Sequence, residues 1–297
     1  MKQYINYVRF GSKIRLCARN QRLVLMKEDE GISYMTLFQL LIVAIIQGLT
    51  EFLPISSSGH LALLPQVTGT QDQGLAIDVA VHVGTLLAVI IYFWQDVQVA
   101  IIGVFRLARG KIDTQGAFLA LCLILGTVPV LLVGLIIKLT GLDELMRSVT
   151  VIGWTMLIFG LVLYWADRTG DTTKTSDRWT LKDAVIMGLA QCLALIPGTS
   201  RSGITITAAR KLGYERQGAA KLSMLMSIPV IIASGAIESI EIINSANWDL
   251  MRSAMFAAFF AFLAALLALS IMMRLLRSVS FTPYVIYRVV LGVGLLI

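Results

Sequence analysis

Several apolar runs in this chain approach the ~20 residues that an α-helix needs to cross the hydrocarbon of a bilayer. The clearest are Phe118–Leu139, Val149–Ala166 and Met255–Met273. Lipid offers no hydrogen-bond partners, so such a chain must satisfy its backbone polar groups within each segment or by closing a barrel. The alternation of apolar and polar residues that a barrel requires is missing. Composition agrees with helices in lipid. Of 297 residues, 57% are hydrophobic and 14% are charged, against roughly 25% charged in a soluble domain. The expected fold class is an all-α integral membrane protein.

The net charge of +7 would suggest a nucleic-acid partner only if the basic residues shared one soluble face. They lie mainly between apolar runs instead, so no nucleic-acid partner is expected. Cys17, Cys122 and Cys192 have neither metal-site nor disulfide spacing and read as packing residues.

Residues 1–34 differ from the rest. They are polar and basic, and they contain no apolar stretch followed by small cleavage-site residues, so a signal peptide is not expected. From residue 35 onward the pattern predicts ten helical pieces, at approximately 35–53, 57–67, 76–95, 116–138, 149–166, 180–197, 202–213, 218–237, 254–276 and 281–297. The polar link Asp167–Asp183 divides them into two halves, 35–166 and 180–297, of a single membrane domain.

Each half opens with a short pair broken by Pro, Gly and Ser. The first break runs Gln47-Gly-Leu-Thr-Glu51-Phe-Leu-Pro54-Ile-Ser56-Ser57-Ser58-Gly59-His60, and the second Gln191-Cys-Leu-Ala-Leu-Ile-Pro197-Gly-Thr-Ser200-Arg201-Ser202-Gly203. The Gln and the final Gly share one spacing, so Ser56 falls opposite Ser200 and Ser57 opposite Arg201. Interrupted apolar segments at matching places in two halves point to a midplane site between inverted repeats. The expected architecture is a re-entrant helix pair and three transmembrane helices in each half, related by inverted topology.

Charge orients this arrangement. Four connections fall on one side, carrying Arg106, Arg109 and Lys111; Arg168, Lys174, Arg178 and Lys182; Arg210, Lys211, Arg216 and Lys221; and Arg274 and Arg277. The opposite side holds Lys138, Arg147 and Arg252. The rich side is then cytoplasmic, and both ends of the membrane domain face outward. A basic extension on the outside breaks that rule. Residues 1–34 are therefore expected to be non-native or disordered, with Met35 as the native start.

The breaks also carry chemistry. Their Ser residues precede new helices at N-cap positions, and helix N-termini offer free N–H groups and a positive dipole end to an anion such as phosphate. Arg201 adds a fork-shaped cation, while Glu51 and His60 add titratable groups that are functional candidates inside a membrane. Plainer roles exist for each. Arg201 could be the structural partner of Glu51 across the halves, His60 could donate to a backbone carbonyl, and Ser56, Ser58 and Ser202 could be hydrogen-bonding glue. Asp78 and His82, four apart on the third helix, could share a face and rank below the motif residues.

Two motifs carry a resemblance. Gln47-x-x-x-Glu51 resembles the [E/Q]-x-x-x-E motif of the undecaprenyl-diphosphate phosphatase (bacitracin-resistance) family. Pro197-Gly-Thr-Ser-Arg-Ser-Gly-Ile-Thr205 matches that family's P-G-x-S-R-S-x-x-T motif at every fixed position. The resemblance spans about Met35 to Ile297. It implies hydrolysis of undecaprenyl diphosphate to undecaprenyl phosphate and inorganic phosphate, which recycles the lipid carrier for peptidoglycan synthesis and confers bacitracin resistance. It implies support by Mg2+ or Ca2+, with Glu51 as the metal residue, because Gln47 stands where many members have Glu.

The resemblance also implies a site of Glu51, Ser57, His60 and Arg201, with Gln47, Ser56, Ser200 and Thr205 around them; Ser202 and Gly203 are expected to join these four in binding substrate phosphate. Ser57 is the expected nucleophile and His60 a general acid or base. The implied location is the bacterial inner membrane, with the site open to the outer face. Partners are the lipid diphosphate and membrane lipids; pairing with a second copy stays open. Two other readings compete. An acid-phosphatase-like lipid phosphatase would need a second histidine downstream, and none follows Arg201. A polyprenyl-phosphate flippase could use the same inverted-repeat cavity.

Overall fold

The computed structural model describes residues 7–10, 14–19, 22–27, 36–69, 72–142, 146, 148–242 and 248–297. The chain forms two units. In the first, strands β1 (Tyr7–Phe10), β2 (Ile14–Arg19) and β3 (Arg22–Lys27) pair antiparallel in chain order. They lie within the stretch expected to be non-native or disordered. The remainder of that stretch, 1–6, 11–13, 20–21 and 28–34, falls outside the described residues, as does the side chain of Cys17.

Among its described residues, the regular structure of the second unit, Leu37–Ile297, is helical apart from one bridge between Lys174 and Tyr214, with turns and irregular segments joining the helices. Its helices are α1 (Leu37–Thr50), α2 (Ser57–Thr68), α3 (Leu75–Tyr92), α4 (Trp94–Leu107), α5 (Gln115–Thr140) and α6 (Val149–Thr169). They continue with α7 (Leu181–Gln191), α8 (Arg201–Lys211), α9 (Arg216–Ile242), α10 (Trp248–Leu275) and α11 (Thr282–Gly294). Helices α3, α5, α6, α9 and α10 are long and apolar enough to cross a membrane. The chain is a multi-pass membrane protein.

Two features depart from the sequence expectation. Helix α4 is additional. Its run of Trp94, Gln95, Asp96 and Gln98 lowers the local hydropathy, and only Val97 and Gly103 on it are buried. It docks through Gly103, where an added Cβ would sit 2.0 Å from the Gly116 carbonyl oxygen on α5. The last helix, α11, has 13 residues. At 1.5 Å per residue that is roughly 20 Å, short of a full ~30 Å core. The broken pairs are short as expected: α1, α2, α7 and α8 have 14, 12, 11 and 11 residues.

Small residues let the helices approach closely, as in other membrane bundles. Ala257, Ala261 and Ala265 form a buried stripe on α10. A Cβ on Gly84 of α3 would lie 2.1 Å from the Ala258 carbonyl oxygen, and one on Gly48 of α1 would lie 2.6 Å from that of Ala261. Leucine, isoleucine and phenylalanine cover the exposed faces, including Phe105, Leu132, Phe259 and Leu267. In lipid these are ordinary contacts. Cys122 is buried and Cys192 half-buried, both as free thiols.

One polar hub ties the helix ends together on the arginine-rich side. Buried Asp167 at the end of α6 accepts from Arg210 Nε at 3.1 Å, from Arg216 Nε at 2.8 Å and from the Phe281 amide at 3.2 Å. The fully buried Arg210 guanidinium also donates to the carbonyls of Asp167, Gly170, Asp171 and Tyr214. Thus α6, α8, α9 and α11 share one carboxylate. Removing one member of a buried pair strands the other and typically costs ~3–5 kcal/mol. Asp167→Ala is expected to lower the melting temperature of the purified protein clearly, read by thermal denaturation in detergent. An unchanged melting curve would remove the hub from the account.

Candidate functional site

Both breaks use the same local device. Ser56 and Ser200 are the non-glycine residues with positive φ among the described residues, at 73° and 72°. Such backbone costs on the order of 1–3 kcal/mol and persists where the surroundings over-determine it. Each serine caps the next helix. Ser56 Oγ accepts from the Gly59 amide at 3.4 Å, and Ser200 Oγ accepts from the Gly203 amide at 3.1 Å. Each also pairs with the serine two residues on, Ser56 with Ser58 at 3.3 Å and Ser200 with Ser202 at 3.1 Å. The breaks thus start α2 and α8 from matched, strained caps.

The two breaks meet through Glu51. Arg201 Nη2 donates to Glu51 Oε1 at 2.8 Å. Ser57 Oγ donates to Glu51 Oε2 at 2.7 Å, and Gln47 Nε2 donates to the same oxygen at 2.9 Å. Arg201 is held in turn by the Ser223 carbonyl on α9 at 3.2 Å. Glu51 is buried, Ser57 is half-buried and Arg201 is 13% exposed at its side chain. The result is a buried, ion-paired carboxylate with a serine hydroxyl pointing at it. A hydroxyl beside a base, next to a guanidinium and a helix start, is the arrangement of an activated nucleophile with an anion clamp.

The other motif residues take different places. His60 is not joined to this cluster: Nδ1 donates to the Ser56 carbonyl at 2.6 Å and Nε2 pairs with the Tyr287 hydroxyl at 2.5 Å, the rings stacking with centroids 5.6 Å apart. Ser202 donates to the Leu53 carbonyl at 2.9 Å. Thr205 donates to the Arg201 carbonyl at 2.8 Å and pairs with Ser223 Oγ at 2.6 Å. The Gly203 amide is taken by Ser200, and a Cβ there would lie 2.9 Å from Arg288 Nη1. These four residues shape the cradle and use their polar atoms in doing so.

Three residues carry more than the sequence suggests. His82, ranked low there, brings Nε2 to 3.8 Å from Glu51 Oε2, with Nδ1 on the Asp78 carbonyl at 2.7 Å. Ser223 holds both Arg201 and Thr205. Arg288 on α11 binds the backbone of both breaks. Arg288 had a readable signal, a charge inside an apolar segment.

No group of three or more His, Cys, Asp or Glu gathers at one point among the described residues. The donor set still suits a hard divalent cation in part. Gln47 Oε1 is buried without a hydrogen-bond partner, on the same side chain that donates to Glu51. Both Glu51 oxygens already accept hydrogen bonds, so phosphates and water would supply most of the ligands, as they commonly do for Mg2+. A separate cavity of about 230 Å3, lined by Gln95, Asp96, Trp179 and Lys221 among others, shares no residue with this cluster.

A buried carboxylate, a serine and an arginine, joined at the starts of two short helices in an apolar helical bundle, make a polar cluster whose chemistry suits an anion. The chain belongs to the family described as bacitracin resistance protein BacA, which matches residues 40–294. It is 73% identical over 263 residues to a Roseobacter denitrificans protein named undecaprenyl-diphosphatase, covering 89% of this chain and 98% of that one. Proteins of the same name from Dinoroseobacter shibae and Hahella chejuensis are 68% and 45% identical over equal lengths, with the same coverage.

If Arg201 clamps phosphate, Arg201→Ala should cost at least ~100-fold in turnover, the scale of losing one preorganised electrostatic donor. Arg201→Lys should restore little, because it keeps charge and loses the fork. Steady-state rates of folded variants check this, and near-normal turnover by the Ala variant would remove the role.

Proposed function

We propose that this chain hydrolyses undecaprenyl diphosphate to undecaprenyl phosphate and inorganic phosphate, recycling the lipid carrier of peptidoglycan synthesis. The observation that carries the reading is the Ser57–Glu51–Arg201 chain of hydrogen bonds across the two breaks. The names of the relatives support the substrate.

In this reading the polyprenyl tail stays in the bilayer and the diphosphate enters between α2 and α8. Arg201 and the helix N-termini hold it and stabilise charge that develops in transfer. Ser57 Oγ attacks the terminal phosphorus while its proton passes to Glu51, a transfer for which their 2.7 Å separation is suited. The bond from that phosphorus to the bridging oxygen breaks, and undecaprenyl phosphate leaves with the electron pair. Water then attacks the phosphoserine phosphorus, the bond to Ser57 Oγ breaks, Glu51 returns its proton to that oxygen, and phosphate leaves carrying the hydroxyl from water. His60, bonded to Ser56 and Tyr287, suits orienting the first turn of α2 better than in-line attack. Gln47 Oε1 and Glu51 would hold an Mg2+ or Ca2+ ion, which would offset diphosphate charge.

Matched caps at Ser56 and Ser200 favour two halves related by inverted topology. The arginine-rich connections favour an inner-membrane orientation with that side cytoplasmic and the site open outward. Residues 1–34 are read as dispensable for this activity.

Two experiments test these points. Purified protein in detergent should release phosphate from undecaprenyl diphosphate; Ser57→Ala should abolish release while still binding substrate, and the wild type should yield a trappable phosphoserine. A pure flippase would release no phosphate, and an acid-labile phosphohistidine would move the nucleophile to His60. For orientation, in a cysteine-free background, Asp177→Cys should resist an impermeant thiol reagent in intact cells, and Asp249→Cys should react. The reverse pattern would put the site on the cytoplasmic face.

A further inference from the structure

Arg288 is fully buried in α11, and among the described residues none of its hydrogen bonds or ion pairs goes to a carboxylate. Among the described residues its guanidinium donates to backbone carbonyls alone. Nε reaches Met156 at 3.1 Å, Nη1 reaches Pro54 at 3.2 Å, and Nη2 reaches Gly198 at 3.0 Å and Thr155 at 3.3 Å. A cation at membrane depth without a counter-ion is expensive and needs a reason.

The partners supply that reason. Pro54 stands two residues before the cap Ser56, and Gly198 stands two residues before the cap Ser200. One planar group therefore grips corresponding carbonyls of the two breaks, and anchors both to α6 through Thr155 and Met156. Broken backbone in a membrane has orphan carbonyls that only protein donors can satisfy. A guanidinium offers five donors in fixed geometry, so it fixes spacing as well as satisfying charge. The preceding residue, Tyr287, holds His60 on α2, so the same turn of α11 grips the first break twice. Gly203 fits the picture: its missing side chain leaves room for Arg288 Nη1.

We propose that Arg288 is a positioning residue that sets the distance between the two broken segments, and through them the placement of Ser57 and Glu51 against Arg201. The consequence for turnover rests on the hydrolase reading above; the consequence for the backbone does not. A misplacement of about 1 Å can cost on the order of 100-fold in rate. Lysine keeps the charge but cannot span carbonyls on both breaks.

The test uses the full chain, purified in detergent, with undecaprenyl diphosphate as substrate and amide hydrogen exchange as a second readout. Arg288→Lys should lower kcat by about 10- to 100-fold with KM changed less than about threefold. Exchange should speed up at residues 53–60 and 197–205 together, and stay unchanged in α3 and α10. Gly203→Ala keeps Arg288 and displaces its tip, but also crowds the Ser200 cap, with its Cβ 3.1 Å from that of Ser200; faster exchange at 53–60, in the other break, is therefore the response that decides the matter if Arg288→Lys does not fold. Wild-type kcat in a folded variant, a loss confined to KM, or unchanged exchange at either break would overturn the proposal. If the wild type itself releases no phosphate, the hydrolase reading fails, and the paired exchange response alone decides whether Arg288 sets the spacing.

Discussion

The Glu51–Arg201 ion pair joins residues 150 positions apart in sequence at 2.8 Å. Each charge here depends on the other, since stripping a buried charge of its partner costs several kcal/mol. Each break therefore needs the other. Ser57 and Gln47 are placed by hydrogen bonds to Glu51, while Arg201 is steadied by Ser223 and its carbonyl is capped by Thr205. A pair of this kind is weak evidence for stability, because burial costs offset attraction. Its retention here is better explained by what it assembles: a hydroxyl, a carboxylate and a guanidinium within one hydrogen-bond chain.

Guanidinium groups also act as the solvent of the broken backbone. Arg210 gathers the carbonyls of Asp167, Gly170, Asp171 and Tyr214 at one end of the bundle, with Asp167 as counter-ion. Arg288 does the same between the two breaks, with no counter-ion among the described residues. In water, such carbonyls would be hydrated. In lipid, an unsatisfied group costs several kcal/mol, so each non-helical segment must come with its own donors. The strain at Ser56 and Ser200 is tolerable for the same reason, since caps and clasps leave the chain few alternatives.

Much of this is readable in one dimension. The long spans of α3, α5, α6, α9 and α10 follow from apolar runs of sufficient length. The short broken pairs follow from Pro, Gly and Ser inside apolar sequence. Glu51 and Arg201 stand out as ionisable residues inside apolar sequence, and Ser57 by its place opposite Arg201 in the matched breaks. The contacts of the plainer readings are also present: Arg201 pairs with Glu51, His60 donates to a backbone carbonyl, and Ser56, Ser58 and Ser202 make hydrogen bonds within and between the breaks. Helix α4 was not readable, because its amphipathic pattern is too polar for a span and merges with the end of α3. His82 was ranked low because a histidine one helix away gives no sign of which carboxylate it will face.

Hydropathy, segment length and capping chemistry act over a few residues, so the sequence alone settles the membrane class, the two breaks and the serines that restart helices after them. Which groups meet is another matter. Ser202 reaches Leu53 across 149 positions, His60 reaches Tyr287 across 227, and Arg288 reaches Pro54 across 234. Those contacts depend on how small-residue faces such as Gly48, Gly84 and the Ala257–Ala265 stripe let helices close on one another. Packing at that range sums many weak contacts, and only the folded chain resolves the sum into one geometry.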